Sequence, residues 1–252
     1  MSEQLDSAAY YHIAYEAHGI MNPLADERLL LLARQCGLNE TARTLDIGSG
    51  NGWASFLLCR EFGCHVTQVD VSQLWTTQAR ALYEEHGLAD RTEIHCVDAS
   101  EFHHAAGMYD LVLCLGTAAI YGGFDAALRM LVPCITPRGA IIVGETSAEP
   151  PLPRRYTEYL GSSGWNILGS RTLLRTIDDH GLEIDWILRS TVDEWDRYMS
   201  LQWQSINTYA RENPDDDQAQ QFAEWARDEQ EAYLRYQRRL VDWNVFLLRP
   251  LR

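Results

Sequence analysis

Lysine is absent: all 21 cationic side chains among the 252 residues are arginine. That absence alone excludes several chemistries. The phosphate-cradling P-loop, the phosphate-pairing residue of kinases and every Schiff-base reaction, pyridoxal-phosphate chemistry included, need a lysine amine. Positive charge is scarce altogether, since 36 acids against 21 cations leave a formal net charge of −15. So acidic a chain argues against nucleic-acid backbones and anionic membranes, which demand cationic contacts. No run reaches the roughly 20 apolar residues of a bilayer span, and the N-terminus lacks the apolar stretch of a secretory signal. Six cysteines occur (Cys36, Cys59, Cys64, Cys96, Cys114 and Cys134), with no C-x-x-C and no Cys/His spacing of a zinc site. They read as reduced thiols, which sets the expectation of a cytoplasmic protein without a structural metal.

What is present is a regular alternation of strand and helix. Helical patterns at 8–20 and 24–36 precede short β-rich runs at 44–47, 65–70, 92–98, 109–116 and 140–145, with helices between most of them. The run at 109–116 is almost continuously apolar, as in a strand buried on both faces of a parallel sheet. The pattern predicts a doubly wound α/β sheet. After Glu145 the rhythm breaks into a Pro-, Gly- and Ser-rich stretch at 146–170, expected as a lid loop with at most one short helix. A helix at 171–180, a strand at 182–190, two charged amphipathic stretches at 193–211 and 216–239 and a last strand at 243–248 complete the chain.

Between the first strand and its helix lies Asp46-Ile47-Gly48-Ser49-Gly50-Asn51-Gly52. A doubly wound sheet binds its ligand at such a place, and the glycines admit close backbone approach. A dinucleotide fingerprint wants G-x-G-x-x-G, but Trp53 stands where the third glycine belongs, and Asp46 would repel a phosphate. An acid before G-x-G-x-G suits a cationic ligand such as S-adenosylmethionine, with its sulfonium and ammonium, while the helix amides face its carboxylate. Asp70 ends the second strand, where an acid takes both ribose hydroxyls; Asp98 ends the third, placed to accept from an adenine amino group. The donor contacts expected are therefore Asp46, Gly48, Ser49, Gly50, Gly52, Asp70, Val71, Asp98, Ala99 and Leu115.

The segments LDIGSGNG, VTQVDVS, IHCVDAS and YDLVLCLG resemble the sequential motifs of class I S-adenosylmethionine-dependent methyltransferases. The resemblance covers roughly 41–145. His18-Gly19-Ile20-Met21-Asn22-Pro23, Gly144-Glu145, Glu194-Trp195-Asp196-Arg197-Tyr198 and Asn213-Pro214-Asp215-Asp216-Asp217 are similar to a bacterial subgroup acting on small molecules. It implies a Rossmann-like seven-stranded sheet ordered 3-2-1-4-5-7-6 with the last strand antiparallel. The N-terminal helices (1–40) would cover a donor-binding core (41–145), 146–240 would form the acceptor side, and 241–252 the last strand. A non-catalytic nucleotide-binding protein and an NAD-dependent dehydrogenase are the alternatives.

Elimination narrows the acceptor. Leu115-Gly116-Thr117-Ala118 replaces the Asn/Asp-Pro-Pro-aromatic turn that methylases of exocyclic base nitrogens carry there, and Pro133-Cys134 falls too late for a cytosine-methylase nucleophile. Neither the acids of a magnesium-dependent catechol site nor the cysteines of an arsenite site are in place. A small organic acceptor at N, O or S remains, with no nucleic acid, no membrane and no metal. Tyr11, Tyr15, Tyr121, Trp165, Trp195 and Trp203 are its candidate contacts, although an aromatic stripe at helical spacing serves equally well as core. His18, expected on one helix face with Tyr11 and Tyr15, is the first candidate base, because an ordinary histidine titrates near pH 6.5. Glu145, at the end of the fifth strand, is the second. The motifs do not encode the acceptor's identity or the oligomeric state.

Overall fold

A computed structural model describes residues 7–103, 106–163 and 167–251. Seven strands form one sheet in the order β3-β2-β1-β4-β5-β7-β6. They are β1 (Arg43–Ile47), β2 (His65–Asp70), β3 (Thr92–Cys96), β4 (Tyr109–Leu115), β5 (Ile135–Ser147), β6 (Leu182–Arg189) and β7 (Asp242–Pro250). β1 to β5 pair in parallel, and β7 runs antiparallel to both β5 and β6. Sheet order and strand directions are those expected.

Alternation along the strands builds two cores. Leu111, Leu113, Leu115 and Ile142 face one side, against helices α2 (Asp26–Arg34) and α3 (Trp53–Phe62). Val112, Cys114, Ile141 and Val143 face the other, against α5 (Phe124–Leu131) and α7 (Ser170–Asp179). With both faces covered, the central strands must be apolar throughout, which is why β4 reads as a continuous run. Ser72 caps α4 (Gln73–Glu85) by accepting from the Trp75 amide. Buried Gln68 on β2 donates to Ser55 Oγ at 2.8 Å and Tyr83 Oη at 3.0 Å, tying β2 to α3 and α4.

A third, smaller core holds the remaining helices together. Tyr10 and Ala14 of α1 (Ser7–Tyr15) pack on Ile206 of α8 (Val192–Glu212) and on Phe222 and Ala226 of α9 (Asp217–Ala232). His12 lies 4.5 Å, ring to ring, from Trp75, so α1 also rests on the start of α4. Asp216 caps α9 by accepting from the Gln218 amide.

Three boundaries differ from the sequence reading. The first helix stops at Tyr15, not at residue 20, because the chain turns there to lay His18 and Gly19 against the glycine loop. β5 runs to Ser147 and is followed by ten-residue helix α6 (Arg154–Ser163), so less of 146–170 is loop than expected. The second amphipathic stretch leaves α-geometry after Ala232 for a π turn at Tyr233–Gln237.

Thr191 and Glu194 form a capping box on α8, and Glu194 also accepts from the Ala25 amide at 2.9 Å and pairs with Arg28. One carboxylate thus fixes α8 to the start of α2. Glu194→Ala removes both sets of contacts and is expected to cost about 2 kcal/mol of stability. Urea unfolding checks this, and a loss near zero would mean that α8 is held by its apolar face alone.

Candidate active site

The site forms where the carboxyl ends of β1, β2, β3 and β4 meet. Gly48 and Ser49 donate their amides to the Val69 carbonyl at 2.8 and 3.1 Å, which binds the glycine loop to the end of β2. Gly50 has φ +55°, and its amide donates to Asp70 Oδ2 at 2.8 Å. Asp70 Oδ1 accepts from the Ser72 amide at 2.8 Å. The acid at the end of β2 therefore shapes the loop itself as well as facing the cleft. A Cβ on Gly50 would lie 2.5 Å from Met21 Sδ, and one on Gly48 2.4 Å from the Thr117 methyl. Protein atoms already fill the spaces beside these two glycines, so they are small for the sake of chain packing as well as ligand approach.

Electrostatically the site is acidic and short of countercharge. Asp46 is buried, its Oδ2 has no partner among the described residues, and burial pushes its carboxyl up to about 7. Ser49 Oγ is likewise buried without a partner. Burial also raises Asp70 above the ordinary carboxylate range, against the two amide hydrogen bonds that favour its charge. Asp98 is exposed, and hydrogen bonds from the Ser100 hydroxyl and amide hold its pKa low. Beside these acids, Val71 is 70% exposed while Ala99 and Leu115 are buried. An exposed apolar side chain next to an acid at a strand end suits the face of a flat heterocycle.

A strap from the N-terminal segment closes one side. Asn51 Nδ2 donates to the carbonyls of His18 and Gly19, each at 2.9 Å, and Trp53 packs on Gly19 while its indole N–H donates to Asp26 at 3.0 Å. This is the role of the tryptophan that displaces the third glycine of a dinucleotide loop. Asn22 Nδ2 donates to the Leu115 carbonyl at 3.1 Å, carrying the strap across to the end of β4.

His18 lies beyond α1, which corrects its expected place on the helix face. Its ring still contacts Tyr15, with centroids 5.1 Å apart. Nε2 lies 3.0 Å from the Tyr198 carbonyl, and since a carbonyl only accepts, the proton sits on Nε2. Nδ1 then carries the lone pair, buried and without a partner among the described residues, and burial lowers the ring's pKa below the ordinary histidine value. The hydroxyls of Tyr15 and Tyr198 meet at 2.6 Å. Glu145 projects from β5, where Oε1 accepts from the Thr146 amide and hydroxyl at 2.9 and 3.3 Å, and burial raises its pKa. Cys114 is a buried thiol pushed up to about 12, chiefly by burial, so at neutral pH it is no nucleophile.

The aromatic candidates divide. Tyr11 is 45% exposed and stacks on Tyr15. Tyr121, on the turn after β4, reaches the Ala99 carbonyl at 3.5 Å. Trp195 is buried in the core, with Trp203 packed against the same cluster, and the indole nitrogens of both lack partners among the described residues. Trp165 lies outside the described residues. The sequence reading overlooked Trp243, whose ring lies against Gly116, just after β4, and Gly144, within β5. Trp243 pairs in register with Thr146, two residues beyond Gly144, a placement that no local signal gives. It also overlooked Met21, Asn51 and Thr117, and Glu229 on α9.

Acids at or just beyond three successive strand ends, a glycine loop and an unpartnered buried carboxylate oxygen give this edge of the doubly wound sheet the chemistry to receive a cationic ligand. The comparisons agree. A family model described as a methyltransferase domain matches residues 44–139. The crystal structure of a SAM-dependent methyltransferase from Geobacter sulfurreducens with S-adenosyl-L-homocysteine is 30% identical, covers 98% of this chain and 100% of that one, and superposes with a TM-score of 0.87. Another SAM-dependent methyltransferase, from Thiobacillus denitrificans and also with S-adenosyl-L-homocysteine, is 28% identical over 95% of this chain and 97% of that one, at TM-score 0.85. The structure of YjhP from Escherichia coli is 28% identical over 96% and 99% of the two chains, at TM-score 0.86. The chain belongs to the SAM-dependent methyltransferases, and its cofactor is S-adenosylmethionine.

Gly50→Ala adds a Cβ at positive φ and against Met21. S-adenosylhomocysteine binding, read by calorimetry, should weaken at least about tenfold, consistent with the cost of a strained residue. Affinity unchanged from wild type would show that the loop relaxes freely and does not set the site.

Proposed function

We propose that the protein transfers the methyl group of S-adenosylmethionine to a nitrogen, oxygen or sulfur atom of a small molecule held between the sheet edge and helices α1, α6, α8 and α9. The observation that carries this reading is the buried Asp46 Oδ2, an acceptor without a partner among the described residues, at the root of the glycine loop that Asn51 ties to the strap. Asp46 and the 48–52 loop take the amino-acid end of the donor, Asp70 its ribose hydroxyls and Asp98 its adenine amino group. Val71, Ala99 and Leu115 flank the base. In this division of labour 1–40 covers the donor, 41–145 binds it, 146–240 supplies the acceptor side and 241–252 completes the sheet.

When bound, the donor supplies an electrophilic methyl on a sulfonium, already a good leaving group. The protein's task is then mostly alignment, worth up to about 7–11 kcal/mol. An acceptor that must lose a proton needs a base. His18 Nδ1 is suited to that, its lone pair fixed by the Nε2 hydrogen bond to Tyr198. Glu145 offers its second oxygen to orient the acceptor. The net charge of −15 favours a small metabolite over a nucleic acid, whose backbone needs a cationic track.

Asp46 gives this reading a pH signature. With its pKa raised to about 7, the ligand-free protein holds the carboxyl neutral below that pH. An ammonium placed beside Oδ2 favours the carboxylate, so binding expels a proton and affinity climbs with pH, levelling above about 7. The same shift makes the ligand-free fold lose stability as pH rises from the ordinary 3.8 towards about 7, since there the native state holds a proton that the unfolded chain has released. Titration of S-adenosylhomocysteine in buffers of different ionisation heats should show proton release in wild type and none in Asp46→Asn. A pH-independent affinity would contradict the assignment, and tight NAD binding with no response to S-adenosylhomocysteine would overturn the reading altogether.

A further inference from the structure

Glu229 is an acid that donor chemistry does not use. It projects from α9 towards α1, half-buried, and its Oε2 accepts from the Tyr10 hydroxyl at 2.7 Å. No arginine pairs with it among the described residues, although arginines elsewhere on these helices do find acids, as Arg238 does with Asp196 and Arg235 with Glu231. Tyrosines run on from this contact: Tyr10 lies 6.0 Å, ring to ring, from Tyr11, and the Tyr15 hydroxyl meets that of Tyr198 at 2.6 Å. Tyr11 and Tyr15 stack with centroids 6.0 Å apart, and Tyr11 opens the group to solvent.

An unpaired carboxylate in such surroundings is costly, because water is largely displaced and aromatic faces are electron-rich. The same arrangement is complementary to a cation, which gains both the carboxylate and the ring faces. It is also continuous with the donor side. Tyr15 hydrogen-bonds Tyr198, the Tyr198 carbonyl holds His18, and the His18 carbonyl is held by Asn51 of the glycine loop.

Building on the methyl-transfer reading, we propose that Glu229 and the tyrosines of α1 and α8 recognise an alkylammonium group, so that the acceptor is a small amine-bearing metabolite. Glu229 is a specificity residue here. It binds the positive end of the acceptor and takes no part in methyl transfer itself.

The test uses the full chain saturated with S-adenosylhomocysteine. Tetramethylammonium and tert-butanol, a cation and a neutral molecule of similar bulk, are titrated separately and followed by protein NMR shifts. Wild type should bind tetramethylammonium at least about tenfold more tightly than tert-butanol. Glu229→Gln keeps an acceptor for Tyr10 and should erase that preference, while its affinity for S-adenosylhomocysteine stays at the wild-type value and its Tm does not fall. Should the Gln variant fold poorly, Tyr11→Leu, at an exposed ring, is expected to lose part of the preference and serves in its place. Equal binding of the two probes, or a preference that survives in the folded variant, overturns the proposal. Failure of wild type to bind S-adenosylhomocysteine would instead count against the donor site and not against the amine pocket.

Discussion

The Asn51 side-chain amide joins the two halves of the site. Its two hydrogen bonds, to the carbonyls of His18 and Gly19, are the link through which the N-terminal segment is laid over the glycine loop. Around it the other contacts fall into place: Met21 against Gly50, Trp53 under Gly19, and Asn22 on the end of β4. Without that link the strap has no reason to leave α1 at Tyr15, and His18 would have no fixed position. The glycine loop therefore also fixes where the His18 ring lies, and alignment of two reactants is what methyl transfer chiefly requires.

Charge is arranged around the same point. Asp46, Asp70, Glu145 and Glu229 are all raised by burial, and none of the four has an ion-pair partner among the described residues. Structural acids in this chain behave differently: Glu194 and Asp196 pair with arginines and have lowered pKa values. Two kinds of acid are thus present: some tie the fold together through arginine, and others stay without an ion pair and are raised by burial. Keeping the latter unpaired costs stability. The apolar cores on both faces of the sheet, with β4 buried along nearly its whole length, offset that cost.

Much of this was legible in the sequence because it is local. Strand ends, the glycine loop and the acids at 46, 70 and 98 sit at positions fixed by a two-residue period and by strand-to-helix turns. The Ser72 cap and the acidic start of α9 follow from one-turn chemistry. What escaped depends on contacts far apart in the chain. Nothing within residues 16–20 announces that Asn51 will capture their carbonyls, so the helical pattern extends falsely past Tyr15. Trp243 reads as one more strand residue until β7 is inserted between β5 and β6 and its ring covers Gly116 and Gly144. Glu229 looks like any polar helix residue until α1 folds onto α9 and the Tyr10 hydroxyl meets it.

The central claim is that donor loop and N-terminal strap form one unit. Amide hydrogen exchange with and without S-adenosylhomocysteine tests it most directly. The account predicts that the ligand protects residues 18–22 together with 48–52, and that Asn51→Ala abolishes the protection of 18–22 even when the ligand is saturating. Protection confined to 48–52 in wild type, with the strap exchanging at its ligand-free rate, would contradict it.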